Sequence, residues 1–176
     1  MNVLKDYNIS YTGLKNGDHS FDFFVDDKFF ISFENTRIVH SRIQLNIELL
    51  KQENMLQFQF FFDGEVDVEC DRCLELITHP VEFEELLIVK FGPETIEEGE
   101  NILILDEKEH QVELAQYIYE FVSLSLPMRF THPDLENGEP GCELEYFDNE
   151  THDEIAPSDD EIDPRWEALK KLKKDK

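Results

Sequence analysis

Apolar residues recur at every second position through the middle of this chain. Ile43, Leu45, Ile47 and Leu49 alternate with Gln44, Asn46 and Glu48, and after a polar turn at 51–54 the period returns in Phe58, Phe60 and Phe62. A period of two belongs to a strand with one buried face. Val66, Val68 and Cys70 carry the period past Asp63-Gly64, so that pair reads as a bulge inside one long strand rather than a hairpin turn. Residues 76–91 supply another apolar-rich strand, in which Pro80 predicts an edge or a break. Residues 102–105 are a short, wholly apolar strand. Nearer the start, residues 7–14 alternate loosely, Lys15-Asn16-Gly17-Asp18 signals a turn, and 21–25 resume the apolar pattern. Residues 27–33, with Phe29, Phe30 and Phe33, fit a short helix, although their periodicity is ambiguous. The expected topology is an antiparallel meander, curled into an open, barrel-like sheet because its strands are long.

The period then changes. Leu114, Tyr117, Ile118, Phe121, Val122 and Ser125 fall at helical spacing, and Pro127 stops the run. This predicts one main helix covering a face of the sheet, hence an α+β domain over residues 1–142. From Glu143 to Asp163 there are ten acidic residues and no Lys or Arg. Such a segment is expected to hold no fixed fold alone, which makes 143–162 an acidic, disordered linker. Asp163 then suits an N-cap and Pro164 the first helical position. Trp166, Leu169 and Leu172 line one side of a short helix over 163–174, with Lys170, Lys171, Lys173, Lys174 and Lys176 at its end, where cations suit the helix dipole. So short a helix is marginal unless it docks, either on its own domain or on a partner.

Composition narrows the function. Fifteen Phe among 176 residues can build a real core, and no stretch approaches the roughly 18 apolar residues of a membrane span. The first residues lack a signal-peptide pattern, and three cysteines do not make a secreted disulfide framework, so a reduced, cytoplasmic setting is expected. The net charge of −25 argues against a broad electrostatic grip on nucleic acid or anionic membrane. Its bland reading is solvation; its functional reading is a surface for a basic partner.

The sharpest local motif is Cys70-Asp71-Arg72-Cys73. Two thiols at that spacing either share a metal ion or form a disulfide. Redox catalysis would need them at a helix N-terminus, whereas their flanks read as strands. Structural zinc needs four ligands, and Cys142 and His132 would complete a Cys₃His set with Cys70 and Cys73. His79 is the substitute for His132. The alternative is that the thiols stay reduced and organise no metal. No phosphate loop, nucleophile elbow, zinc-protease or EF-hand spacing is present, so the sequence offers no catalytic centre and no small-molecule site.

The run from Cys70 to Glu75 resembles the C-x-R-C-L-E signature of the YceD family of large-subunit ribosomal RNA accumulation proteins. The helix leading into Leu126-Pro127, the later His132 and Cys142, and the closing Asp163-Pro164-Arg165-Trp166 with Leu169 resemble that family in order and spacing. The resemblance runs from about residue 35 to 174. It implies a non-catalytic role in ribosome assembly in a bacterial cytoplasm, supporting accumulation of 23S ribosomal RNA. Some relatives carry further cysteines near the C-terminus. This chain has only Cys142 there, which leaves Cys₃His as the surviving zinc set. Three readings compete. The chain binds a basic ribosomal or assembly protein; it binds large-subunit RNA directly through its terminal lysines; or it uses the thiol pair as a redox enzyme.

Overall fold

The structure, a computed structural model, describes residues 3–33, 36–99, 101–136 and 141–142. All of these lie within the compact unit formed by 1–142. The expected linker at 143–162 and docking helix at 163–174, with Trp166, Leu169, Leu172 and the terminal lysines, lie outside the described residues.

A 3₁₀ turn (Val3–Tyr7) leads into β1 (Asn8–Ser10), β2 (Gly17–Asp26) and α1 (Asp27–Ile31). Three long strands follow: β3 (Ile38–Lys51), β4 (Met55–Glu69) and β5 (Leu76–Gly92). After them come β6 (Ile96–Glu97), β7 (Ile102–Asp106), β8 (Gln111–Glu113) and α2 (Ala115–Ser125). The main sheet has the order β2-β3-β4-β5-β7-β6, and β1 pairs with β8 in a separate two-stranded ribbon. This is an α+β fold dominated by its sheet.

The period of two puts Leu56, Phe58, Phe60, Phe62, Val66 and Val68 of β4 on the buried face. Register carries that face to Leu49, Ile47, Leu45 and Ile43 on β3, and to Leu87 and Val89 on β5. Helix α2 adds Ile118, Phe121 and Val122 to the same core, and the Phe121 ring meets Phe60 edge-on at 5.3 Å between centroids. Its last turn gives way to extended backbone at Leu126, as expected of a residue before proline. Helix α1 starts where the Asp26 carboxylate accepts from the amides of Lys28 and Phe29, and it buries Phe29 and Phe30.

Two expectations need correction, and of the two readings of Pro80, an edge or a break, only the first holds. Gly64 makes no bulge: β4 pairs regularly through it, opposite Ile43 and Val81. Glycine is needed because a Cβ there would collide with the Arg42 carbonyl and Ile43 Cα on the neighbouring strand. The register shift lies instead between Ile38 and His40. Pro80 does not break β5, which runs unbroken from Leu76 to Gly92. Strand β7 joins it only from Ile88 onward, so Pro80 sits on the half of β5 whose far edge carries no pairing among the described residues. Finally, β7 runs parallel to β5, so the meander ends there. The chain steps outward to β6, which hairpins back onto β7 antiparallel, and so a short connection delivers a parallel pair.

Candidate metal centre

Strands β4 and β5 are joined by the loop of residues 70–75, and the candidate ligands gather at this end of the sheet. Cys70 follows the last residue of β4, and its amide donates to the Glu75 carbonyl at 2.8 Å. The Leu74 amide donates to the Cys70 carbonyl at 3.0 Å, closing a tight turn. That closure holds Leu74 in the left-handed region, φ 65°. An L-residue there costs on the order of 1 kcal/mol.

The other two ligands arrive from beyond α2. Asp71 and Phe130 exchange hydrogen bonds that fasten this returning segment to the loop. The Asp71 amide donates to the Phe130 carbonyl at 2.7 Å, and the Phe130 amide donates to Asp71 Oδ2 at 2.7 Å. Arg37 closes the joint, donating to Asp71 Oδ1 at 2.6 Å and to the Met128 carbonyl at 3.1 Å, with its guanidinium 5.3 Å from the centre of the Phe130 ring. Arg72 reaches Asp134 at 3.4 Å. Gly141 packs so closely on the Pro133 carbonyl that a Cβ would collide with it, and the chain thereby brings Cys142 back beside His132.

The result is a cluster of four donors, Cys70, Cys73, His132 and Cys142, whose ligand atoms all lie within 4.8 Å of one another. Cys70 Sγ and Cys142 Sγ are 3.7 Å apart. His132 Nδ1 stands 3.4 Å from Cys73 Sγ and 3.6 Å from Cys142 Sγ. A tetrahedral zinc ion with Zn–S of about 2.3 Å and Zn–N of about 2.0 Å has S···S edges of about 3.8 Å and S···N edges of about 3.5 Å. These three separations therefore match the edges around one such ion, and all three cysteines are free thiols. Cys70 and Cys142 are buried, while Cys73 and His132 are half-buried. Three sulfurs and one imidazole leave no open position on a four-coordinate ion, which suits a structural site.

Electrostatics divides the thiols. Burial pushes Cys70 up, but amides of Cys73, Arg72 and His132 directed at its sulfur outweigh that and bring it down to about 6, from an ordinary 9.0. The Arg72 amide is 3.4 Å from the sulfur. Cys73 is pushed up, first by burial and then by the neighbouring sulfurs of Cys70 and Cys142, against the pull of the Glu75 amide. The amides directed at its sulfur thus favour the thiolate form of Cys70.

The structure brings together the four residues expected from the sequence. It leaves the substitute, His79, outside the cluster: that residue lies on β5, its ring edge-on to Phe130 at 5.4 Å. The thiol pair lies in a β-hairpin and not at a helix start. Sequence reasoning missed the fastening layer of Arg37, Asp71, Phe130 and Gly141. The only signals were an aspartate between two cysteines and a glycine before the third, and neither names its partner.

A family model described as large ribosomal RNA subunit accumulation protein YceD matches residues 58–173. The match spans all four clustered donors. No curated protein and no solved structure matches the chain.

Proposed function

The chain belongs to the YceD family of large ribosomal RNA subunit accumulation proteins, and from that premise we propose that it is a non-catalytic assembly factor acting on the large ribosomal subunit in the bacterial cytoplasm by binding a basic ribosomal or assembly protein. The family description supports the role in 23S ribosomal RNA accumulation. The net charge of −25 is the observation that selects a basic protein over RNA as the direct partner. A few lysines acting against that field can neutralise few phosphates. Trp166, Leu169 and Leu172 would add an apolar contact from the terminal segment, with the lysines at 170–176 beside them.

Within this reading Cys70, Cys73, His132 and Cys142 hold one structural zinc. The ion would join the β4–β5 loop to the segment that returns after α2, and it would supply folding energy rather than chemistry. Purified protein should then contain close to one zinc per chain, and Cys70→Ser should lose both the zinc and several degrees of melting temperature. Metal-free protein that melts unchanged after chelation would rule the ion out.

Cells depleted of the protein should accumulate less large-subunit ribosomal RNA relative to small-subunit RNA. Capture of the tagged chain with and without ribonuclease tests the partner class. A basic large-subunit protein retained after RNA digestion supports the reading. Retention that vanishes with the RNA, together with RNA binding by pure protein that survives moderate salt, would replace it with direct RNA recognition.

A further inference from the structure

Leu74 breaks two rules of folding at once. It occupies the left-handed region, φ 65°, where glycine or asparagine is at ease and a branched apolar side chain is not. The residue is also 73% exposed, and it belongs neither to the core nor to the partly buried residues packed on it. The turn needs a left-handed residue, but it does not need a leucine. Nothing among the described residues of the domain repays the choice.

Other residues of this end of the sheet are exposed too. Leu76, two positions on, is 48% exposed, and Met128, whose carbonyl is held by Arg37, is 97% exposed. Glu69 and Glu75 flank Leu74 along the chain and are exposed. An exposed leucine flanked along the chain by exposed carboxylates does not suit RNA, since phosphate would be repelled and Leu74 has no flat face for a base. Arg37 and Arg72 of this end are already engaged by Asp71 and Asp134. The complementary surface is an apolar pocket bordered by lysine or arginine, on a basic protein.

We infer that the tip of the β4–β5 loop is the docking point for the basic partner, with Leu74 as its apolar anchor and Glu69 and Glu75 as the charged rim. Anchors of this kind sit in a pocket, and the charges around them set orientation and rate. The metal cluster then has a further consequence: by fixing Cys70 and Cys73 it presents Leu74 rigidly, so less order is lost on binding. This inference rests on the protein-partner reading above.

The test uses the full chain and individually purified basic proteins of the large subunit, free of RNA. Leu74→Gly relieves the backbone and removes the side chain; Leu74→Asn is the second variant, tolerant of the same conformation. Both should keep their zinc content and melt at or above the wild-type temperature, yet bind the partner at least tenfold more weakly. A core role for Leu74 would instead lower the melting temperature, which overturns the inference. So would a partner that binds wild type and both variants equally, and in that case the protein-partner reading stands. If no basic protein binds the wild type at all, that reading falls and this inference with it.

Discussion

At Asp71 one carboxylate serves two neighbours: Oδ2 accepts from the Phe130 amide and Oδ1 takes the Arg37 guanidinium. Removing it strands a part-buried amide and frees the arginine that holds Met128. Asp71→Ala should therefore cost about 1–3 kcal/mol in urea melts, the penalty for an unpaired donor in poor contact with water. On the proposed zinc reading it should also weaken the metal about 10–100-fold in chelator competition, the usual effect of losing a group that orients ligands. Unchanged zinc affinity would show that the ligands position themselves. Gly141 makes a related point through sterics. Gly141→Ala cannot be accommodated without moving the Pro133 carbonyl, and Cys142 would move with it. Loss of zinc with Cys142 itself intact is the expected outcome. At this scale the candidate donors that cluster were legible because few residue types bind zinc. Asp71, Phe130 and Gly141 were not, since their roles depend on which backbone lies opposite.

Strand β4 is the element on which the domain is assembled, pairing with β3 along one edge and β5 along the other. Its buried Phe60 meets Phe121 of α2 edge-on, the geometry preferred by aromatic quadrupoles. Truncating either ring to alanine should cost about 3–5 kcal/mol. The double variant should cost less than the sum by about 0.5–1.5 kcal/mol, the worth of such a pair beyond its buried area. Full additivity would mean that α2 is held by its aliphatic residues alone. The helix and the long strands were readable because 3.6 and 2 are distinct periods. The parallel pairing of β7 was not, because the same apolar run suits either direction. Nor was the regular pairing at Gly64, where a glycine marks a close approach and looks in sequence like a bulge.

Over the whole molecule, acidity is the dominant field, and it acts on the tyrosines. Burial, then Asp26 and Asp6, push Tyr7 up to about 12; burial, then Glu97 and Glu120, push Tyr117 to about 12. A folded value above the ordinary 10.0 means that the native state holds these protons more tightly than the unfolded chain does. The associated stability is complete below about pH 10 and is lost as pH rises towards about 12. Spectrophotometric titration should show at least two of the five tyrosines ionising late, together with a melting temperature that falls across that window. Five ordinary titrations would contradict the burial of both rings. Taken alone, the sequence determined what short-range physics determines: strand and helix periods, the stop at Pro127, the acidic balance and the types of residue able to hold zinc. Only the tertiary structure decided which strands pair and in which direction, and that the segment after α2 returns to the β4–β5 loop. Cys70 and Cys142 are 72 positions apart along the chain, yet their sulfurs lie 3.7 Å apart. No local pattern encodes that distance. It is set by the sheet register, by the packing of α2 and by the reciprocal bonds of Asp71 and Phe130, all of which exist only once the chain has folded.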